Sequence, residues 1–309
     1  MKGLVYKSTG SWYSVRSETG DMYDCKIKGK LRLENINSTN PVVVGDIVEF
    51  VVEEHDLQEI GIIQKIHDRR NYILRKSVNL SKQTHILASN IDILLLVITI
   101  KNPITTTSFI DRFLVSAEAY SVKTILVFNK CDIYDINDEI LLNLFINIYE
   151  SIGYDTIKTS TFSEIGIKEL KKKISGKTIM LGGHSGVGKT SLINSIDRSL
   201  NLKVGNISDQ HFQGKHTTTY AELHDLNNGS KLIDTPGIKG FGLVDFNREE
   251  IKDFFPEFVK LKSKCKFNNC MHLNEPKCYI KQKIQTDEIS KSRYDSYIQI
   301  INDNNLKHR

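Results

Sequence analysis

No stretch of this 309-residue sequence stays apolar for the roughly 20 residues a bilayer span requires. The longest such run, Ile91 to Ile100, is interrupted by Asp92 and Thr99. The opening MKGLVYKSTG lacks the apolar core of a secretory leader and the Arg/Ser bias of a transit peptide. A cytoplasmic protein with no membrane partner is therefore expected. Cysteine is scarce, and its number, five, is odd. Three of the five, Cys265, Cys270 and Cys278, fall within fourteen residues, which argues against a disulfide framework and for a metal in a reducing compartment. Internal repeats and low-complexity tracts are absent. Neither sign of charge dominates: +5, from 42 Lys+Arg and 37 Asp+Glu, is compatible with nucleic acid but does not demand it. What is present is enough apolar residue, 39%, for two or three domains with real cores.

Residues 1–72 read as short strands. Leu4–Lys7, Trp12–Arg16, Met22–Ile27, Ile47–Val52 and Gly61–Ile66 are β-branched or aromatic, with turn residues between them. Five short strands in about 70 residues suit a small closed barrel of the OB-fold kind; a partly open SH3-like barrel is the alternative. Residues 73–243 alternate strands with helices. Asp92–Ile100 and Lys123–Asn129 are nearly continuous apolar runs, as in strands buried on both faces, and Thr178–Leu181 and Lys231–Ile233 are shorter ones. Phe109–Tyr120, Glu139–Tyr149, Gly166–Ile174 and about Gly188 to Leu200 read as helices. This part is α/β with a parallel sheet. Residues 244–309 turn helical, contain the cysteine cluster, and end in a polar segment with room for one last helix.

The strongest motif is Gly183-His184-Ser185-Gly186-Val187-Gly188-Lys189-Thr190, followed by Ser191: the G-x-x-x-x-G-K-[ST] phosphate loop, between a predicted strand and a predicted helix. Glycines there let successive N–H groups curl around phosphate oxygens, and the helix N-terminus adds a favourable dipole. Lys189 is placed to bridge the β- and γ-phosphates and the Thr190 hydroxyl to ligate Mg²⁺. A phosphate loop does not choose the base; Asn129-Lys130-Cys131-Asp132 does. The Asp132 carboxylate can accept from both N1–H and the exocyclic amine of guanine, whereas adenine offers an acceptor there and leaves it unsatisfied. Asn129 buttresses this loop and Lys130 packs along the base. The motif ends a buried strand, the edge at which open α/β sheets bind ligands.

Three weaker signals join these. Asp234-Thr235-Pro236-Gly237 follows a strand, so Asp234 can hold Mg²⁺ through water and the Gly237 N–H can meet the γ-phosphate. In Gly214-Lys215-His216-Thr217-Thr218-Thr219 a threonine can complete the Mg²⁺ shell, and spacing does not say which. Ser160 ends a short strand where its backbone can meet guanine O6. The guanine loop precedes the phosphate loop, the reverse of the ordinary GTPase order, so the set looks circularly permuted. Because domain termini often lie close together at the surface, such a cut can keep the sheet and site intact. Finally, Cys265-x₄-Cys270-x-His272-x₅-Cys278 offers three thiolates and one imidazole, the donor set of a closed, structural Zn²⁺ site. Lys260, Lys262, Lys264 and Lys266 alternate just before it, a run that either touches phosphates or is simply solvated.

Together, barrel, permuted motif order and Cys₃His cluster resemble the RsgA family of small ribosomal subunit biogenesis GTPases over nearly the whole chain. The likeness is carried by Pro41…Gly45-Asp46-Ile47-Val48, Arg69–Arg75, GHSGVGKTS, GKHTTT, DTPG and the cysteine spacing. It implies an OB-fold barrel at 1–72, a circularly permuted GTPase domain at 73–243 and a zinc-binding helical domain at 244–309. It also implies a partner, the small (30S) subunit with its 16S rRNA, that stimulates hydrolysis of GTP to GDP, with Mg²⁺ and one Zn²⁺ as cofactors. Under the same resemblance His216 helps hydrolysis and Thr218 is the threonine that meets Mg²⁺. A monomer is expected. Two features bear on these roles. Residues 1–72 carry ten basic against eleven acidic side chains, so the barrel has no net positive charge to bring to RNA. Many GTPases place a water-orienting glutamine after the switch glycine; here that position is Ile238, so hydrolysis should be slow until a partner brings His216 to the water. The rival readings are an RNA-binding protein that uses nucleotide only as a sensor, and an ATP-dependent kinase, which Asn129–Asp132 disfavours.

Overall fold

The computed structural model describes residues 1–27, 41–55, 58–76, 84–200, 221–234 and 246–306. Five strands, β1 (Lys2–Ser8), β2 (Tyr13–Ser17), β3 (Met22–Ile27), β4 (Ile47–His55) and β5 (Gln58–Ile66), are hydrogen-bonded in the order β1-β2-β3-β5-β4. β1 also pairs with β4, through Lys2↔Glu49, Gly3↔Val48 and Leu4↔Ile47, so the strands close on themselves as the OB-fold reading expects. Alternation fills the barrel: Val5, Tyr13, Val15, Cys25, Val48, Phe50 and Ile63 point inward and are buried.

A hairpin that the sequence reading passed over, β6 (Tyr72–Lys76) with β7 (Thr84–Ser89), follows the barrel. Asp46 locks the two together. Its buried carboxylate accepts from the Arg69 guanidinium at 2.6 and 2.7 Å and from the Ser89 hydroxyl at 2.6 Å.

The central sheet consists of β8 (Ile93–Ile98), β9 (Thr124–Phe128), β10 (Asp155–Lys158), β11 (Thr178–Gly182), β12 (Glu222–Asp225) and β13 (Lys231–Asp234), in the order β10-β9-β8-β11-β13-β12. All neighbours are parallel except β12, which runs antiparallel to β13 and meets the barrel's β1 at Lys7↔Glu222. β8 explains why its sequence shows no alternation. Leu94, Leu96 and Ile98 pack on one face with helices α1 (Thr107–Ala119) and α2 (Ile136–Ser151), while Ile93, Leu95 and Val97 pack on the other with α3 (Ile167–Ile174) and α4 (Lys189–Ile196). α4 stops at Ile196, one turn short of the predicted end, and a 3₁₀ turn, Arg198–Leu200, follows. Entering the sheet at β8 and β9 before β11 is the permuted order.

The C-terminal part holds α5 (Pro256–Leu261), α6 (Tyr279–Gln285) and α7 (Lys291–Leu306). Phe255, Phe258 and Tyr297 form its aromatic centre, with ring centroids 5.0–5.3 Å apart, beside the three cysteines.

Candidate nucleotide site and metal centre

The phosphate loop leaves β11 at Gly182 and enters α4 at Lys189. Gly183, Gly186 and Gly188 have φ of +130°, +81° and +94°, values that side chains disfavour. A Cβ on Gly188 would lie 2.5 Å from Asn129 Nδ2, so glycine there also lets two loops approach each other. α4 has no side-chain N-cap, which leaves its first turn of N–H groups to an incoming anion. Lys189 Nζ folds back on the carbonyls of Gly183 at 2.9 Å and His184 at 2.6 Å. The His184 ring lies over Phe109 of α1, with centroids 3.7 Å apart. Burial, then the Lys189 charge, push the His184 imidazole below its ordinary value, so it is neutral near pH 7.

The base loop leaves β9 at Phe128. Asn129 is buried, and its amide donates to the Val187 carbonyl of the phosphate loop at 2.9 Å while its Oδ1 accepts from the Thr159 hydroxyl at 3.0 Å. Lys130 takes a left-handed conformation, φ +64°, and its Nζ donates to the Asn102 carbonyl at 2.7 Å. The Cys131 thiol donates to the Phe128 carbonyl at 3.2 Å, and burial pushes it up to about 11, which makes it inert. Asp132 is exposed, held by the Ser160 hydroxyl. The Ser160 N–H donates to the Ile165 carbonyl at 3.0 Å, so Ser160 acts on the Asp132 side chain and does not turn its own N–H outward, a difference from its expected role.

Asp234 ends β13 directly opposite Glu222. Burial raises its carboxyl above the ordinary value, with His224 opposing and Glu222 adding to the shift. Thr190 is buried at the start of α4. These two offer only oxygen, the donor class of Mg²⁺, and so fit that ion. Gly237, His216 and Thr217 to Thr219, Thr218 included, lie outside the described residues.

Cys265, Cys270, His272 and Cys278 bring their ligand atoms within 4.8 Å of one another. The Cys265 and Cys278 sulfurs stand 3.7 and 3.4 Å from His272 Nδ1. A tetrahedral Zn²⁺ with bonds of about 2.0–2.3 Å requires edges of about 3.5–3.8 Å, so the residues fit zinc. Burial pushes the His272 imidazole down to about 4, leaving it in the neutral form that ligates. The knuckle's backbone is held on both sides. Glu275 accepts from the N–H of Met271 and of Leu273 at 2.7 Å, while Lys252, Tyr297, Tyr294 and Lys281 donate to the carbonyls of Cys270, Met271, His272 and Leu273.

Thr159 and Phe109, and Tyr134, whose hydroxyl donates to the Asn129 carbonyl at 2.6 Å, support the two loops without a signal in the sequence. Phe109 reads as an ordinary core position of an amphipathic helix, and no motif signals the other two.

A family model described as RsgA GTPase matches residues 66–244, and one described as RsgA N-terminal domain matches residues 2–63. The small ribosomal subunit biogenesis GTPase RsgA of Flavobacterium psychrophilum is 55% identical over 304 residues, covering 97% of this chain and 92% of that protein. The chain belongs to the RsgA family of GTPases. The RsgA of Christiangramia forsetii is likewise 55% identical, over 97% of this chain and 96% of its own. Among solved structures, YjeQ from Thermotoga maritima superposes with a TM-score of 0.78 at 33% identity, over 98% of this chain and 97% of that one. YloQ, described as a circularly permuted GTPase, gives 0.72 at 28% identity, over 98% and 94%. This RsgA-family chain is thus a GTP hydrolase of permuted order, with an N-terminal barrel and a C-terminal Cys₃His cluster among helices.

Proposed function

We propose that this RsgA-family GTPase binds the small (30S) ribosomal subunit, hydrolyses GTP to GDP and phosphate when the subunit stimulates it, and thereby assists late subunit maturation. Support for the partner comes from its relatives, which are named as small ribosomal subunit biogenesis GTPases. The observation that carries the nucleotide reading is the 2.9 Å hydrogen bond from the Asn129 amide to the Val187 carbonyl. It holds the base loop against the phosphate loop, so that one guanosine ligand can touch both.

In this reading Asp132 accepts from guanine, kept in place by Ser160, and Lys130 lies along the base. The N–H groups of Gly183 to Ser191 surround the phosphates, and Lys189 exchanges its two loop carbonyls for phosphate oxygens. Thr190, Asp234 and Thr218 would hold Mg²⁺, which neutralises charge on the β- and γ-phosphates when bound. His216 orients a water for in-line attack on the γ-phosphorus; the bond to the bridging oxygen breaks and GDP leaves with the electron pair. The Gly237 N–H meets the γ-phosphate. The barrel, 1–72, and the zinc part, 244–309, flank the GTPase part, 73–243, and contact 16S rRNA. The setting is the cytoplasm, and the acting species is a monomer.

Phosphate release with and without purified small subunits tests this. Stimulation is expected; a protein that only senses nucleotide shows none. Competition of GDP against ADP tests the base assignment, and a preference for ADP removes it.

A further inference from the structure

Helix α1 is held on two sides by different parts of the molecule. Toward the sheet, Phe109 stacks on His184 of the phosphate loop, and the Phe113 ring fills the place where a Cβ on Gly182 would sit, 2.0 Å away. Toward the C-terminal part, the buried Asp111 carboxylate accepts from Arg293 Nη1 at 2.8 Å. Arg293 also donates from Nε and Nη2 to both oxygens of Glu257, at 2.8 and 3.2 Å. Arg293 and Asp111 are 1% and 0% exposed, so this triad is cut off from water. Ser108 donates to Gln299 of α7 at 2.6 Å, and Arg112 pairs with Asp303.

A buried ion triad is a poor way to gain stability, because desolvating the charges offsets most of their attraction and apolar residues of similar size often serve as well. What such a triad does supply is a fixed geometry. The guanidinium of Arg293, on α7, meets Glu257 with two donors and Asp111 with a third in one orientation only, and Asp111 is two residues from Phe109 on α1. A helix is stiff over so short a span, so its two contacts move together.

We propose that Phe109 and Arg293 are positioning residues of the nucleotide site: Phe109 holds the phosphate loop through the His184 ring, and Arg293 holds the helix that presents Phe109. The C-terminal helical part thereby sets how tightly the loop grips phosphate. This rests on the phosphate loop taking the nucleotide, as proposed above, and extends it by giving α7 a share in nucleotide affinity.

The test is a titration of the full-length, zinc-loaded protein with a fluorescent GDP, reading both Kd and the fraction of protein that binds. The stack in question is worth about a threefold to tenfold change in affinity. Phe109→Leu should raise Kd by that factor, and Phe109→Tyr should restore it. Arg293→Lys, which keeps the charge but loses the fork, should raise Kd in the wild-type background and add nothing once Phe109 is leucine. A merely structural role lowers the binding fraction and leaves Kd alone. Unchanged Kd in every variant, or equal effects of R293K in both backgrounds, overturns the inference while leaving the site reading intact. A wild-type protein that binds no GDP overturns the site reading and this inference with it. If R293K does not fold, R112A loosens the same α1–α7 contact at the surface and is read by the same two-background comparison.

Discussion

In the proposed site, base choice comes down to one carboxylate, that of Asp132, which is exposed and anchored by the Ser160 hydroxyl. An ionised carboxylate only accepts hydrogen bonds, and guanine offers it two donors side by side. Asp132→Asn turns one acceptor into a donor. The expected outcome is a loss of GDP affinity of about 100-fold or more, with xanthosine diphosphate, which carries an oxygen in place of the amine, becoming the better ligand. Competition binding checks both halves. His184 gives a pH prediction. Its folded value lies below the ordinary 6.5, so the unfolded chain takes up the proton more readily. The stability it contributes is present above pH 6.5 and is lost as pH falls from there through the lowered folded value. Thermal melts between pH 7.5 and 5.5 should show wild type losing more stability than His184→Gln. Equal losses contradict the half-buried placement of this ring against Phe109. The places of both loops, at the ends of β9 and β11, were legible because each motif directly follows an apolar run. Ser160 was legible only by position: whether its hydroxyl or its N–H faces the site depends on Ile165, five residues on.

Elements were readable where their pattern is internal and obscure where a partner supplies it. β8 and β9 announce themselves as apolar runs because both faces are covered, whereas α2 starts at Ile136, ahead of the expected Glu139, because Asp135 and Asp138 form a capping box there. The β6–β7 hairpin does not announce itself. Tyr72–Lys76 lies in the Arg69–Arg75 stretch that the family likeness singles out, and it becomes a strand through pairing with 84–89 and through the Asp46–Arg69 lock behind it. That lock is itself testable. Arg69→Met strands the fully buried Asp46 carboxylate, and the expected cost is about 3–5 kcal/mol in chemical denaturation. A cost below 1 kcal/mol contradicts the buried pairing. The Arg293 triad escaped sequence reading for a similar reason, since Asp111, Glu257 and Arg293 are far apart along the chain and carry no motif.

Across the whole molecule, three parts share contacts: the barrel meets the GTPase sheet edge at β1–β12, and the C-terminal part meets the GTPase part where α7 packs on α1. The Cys₃His cluster lies inside the hydrophobic core of the C-terminal part, next to Phe258 and Tyr297. Metal removal should therefore act on all of that core. A chelator strong enough to strip zinc is expected to melt α5 to α7 and lower far-UV helicity, while the β-barrel signal stays. Unchanged helicity with zinc gone contradicts a structural metal. The permuted order of the motifs was readable because it is a fact about order alone, and the way the C-terminal part grips α1 was not, because it depends on side chains meeting across the fold. Phosphate release from GTP as purified small subunits are added tests whether this guanine-nucleotide site answers to the small ribosomal subunit. Release should be slow alone, rise steeply with the small subunit, and not rise with the large subunit or with ATP. A rate indifferent to the small subunit would contradict the proposed function.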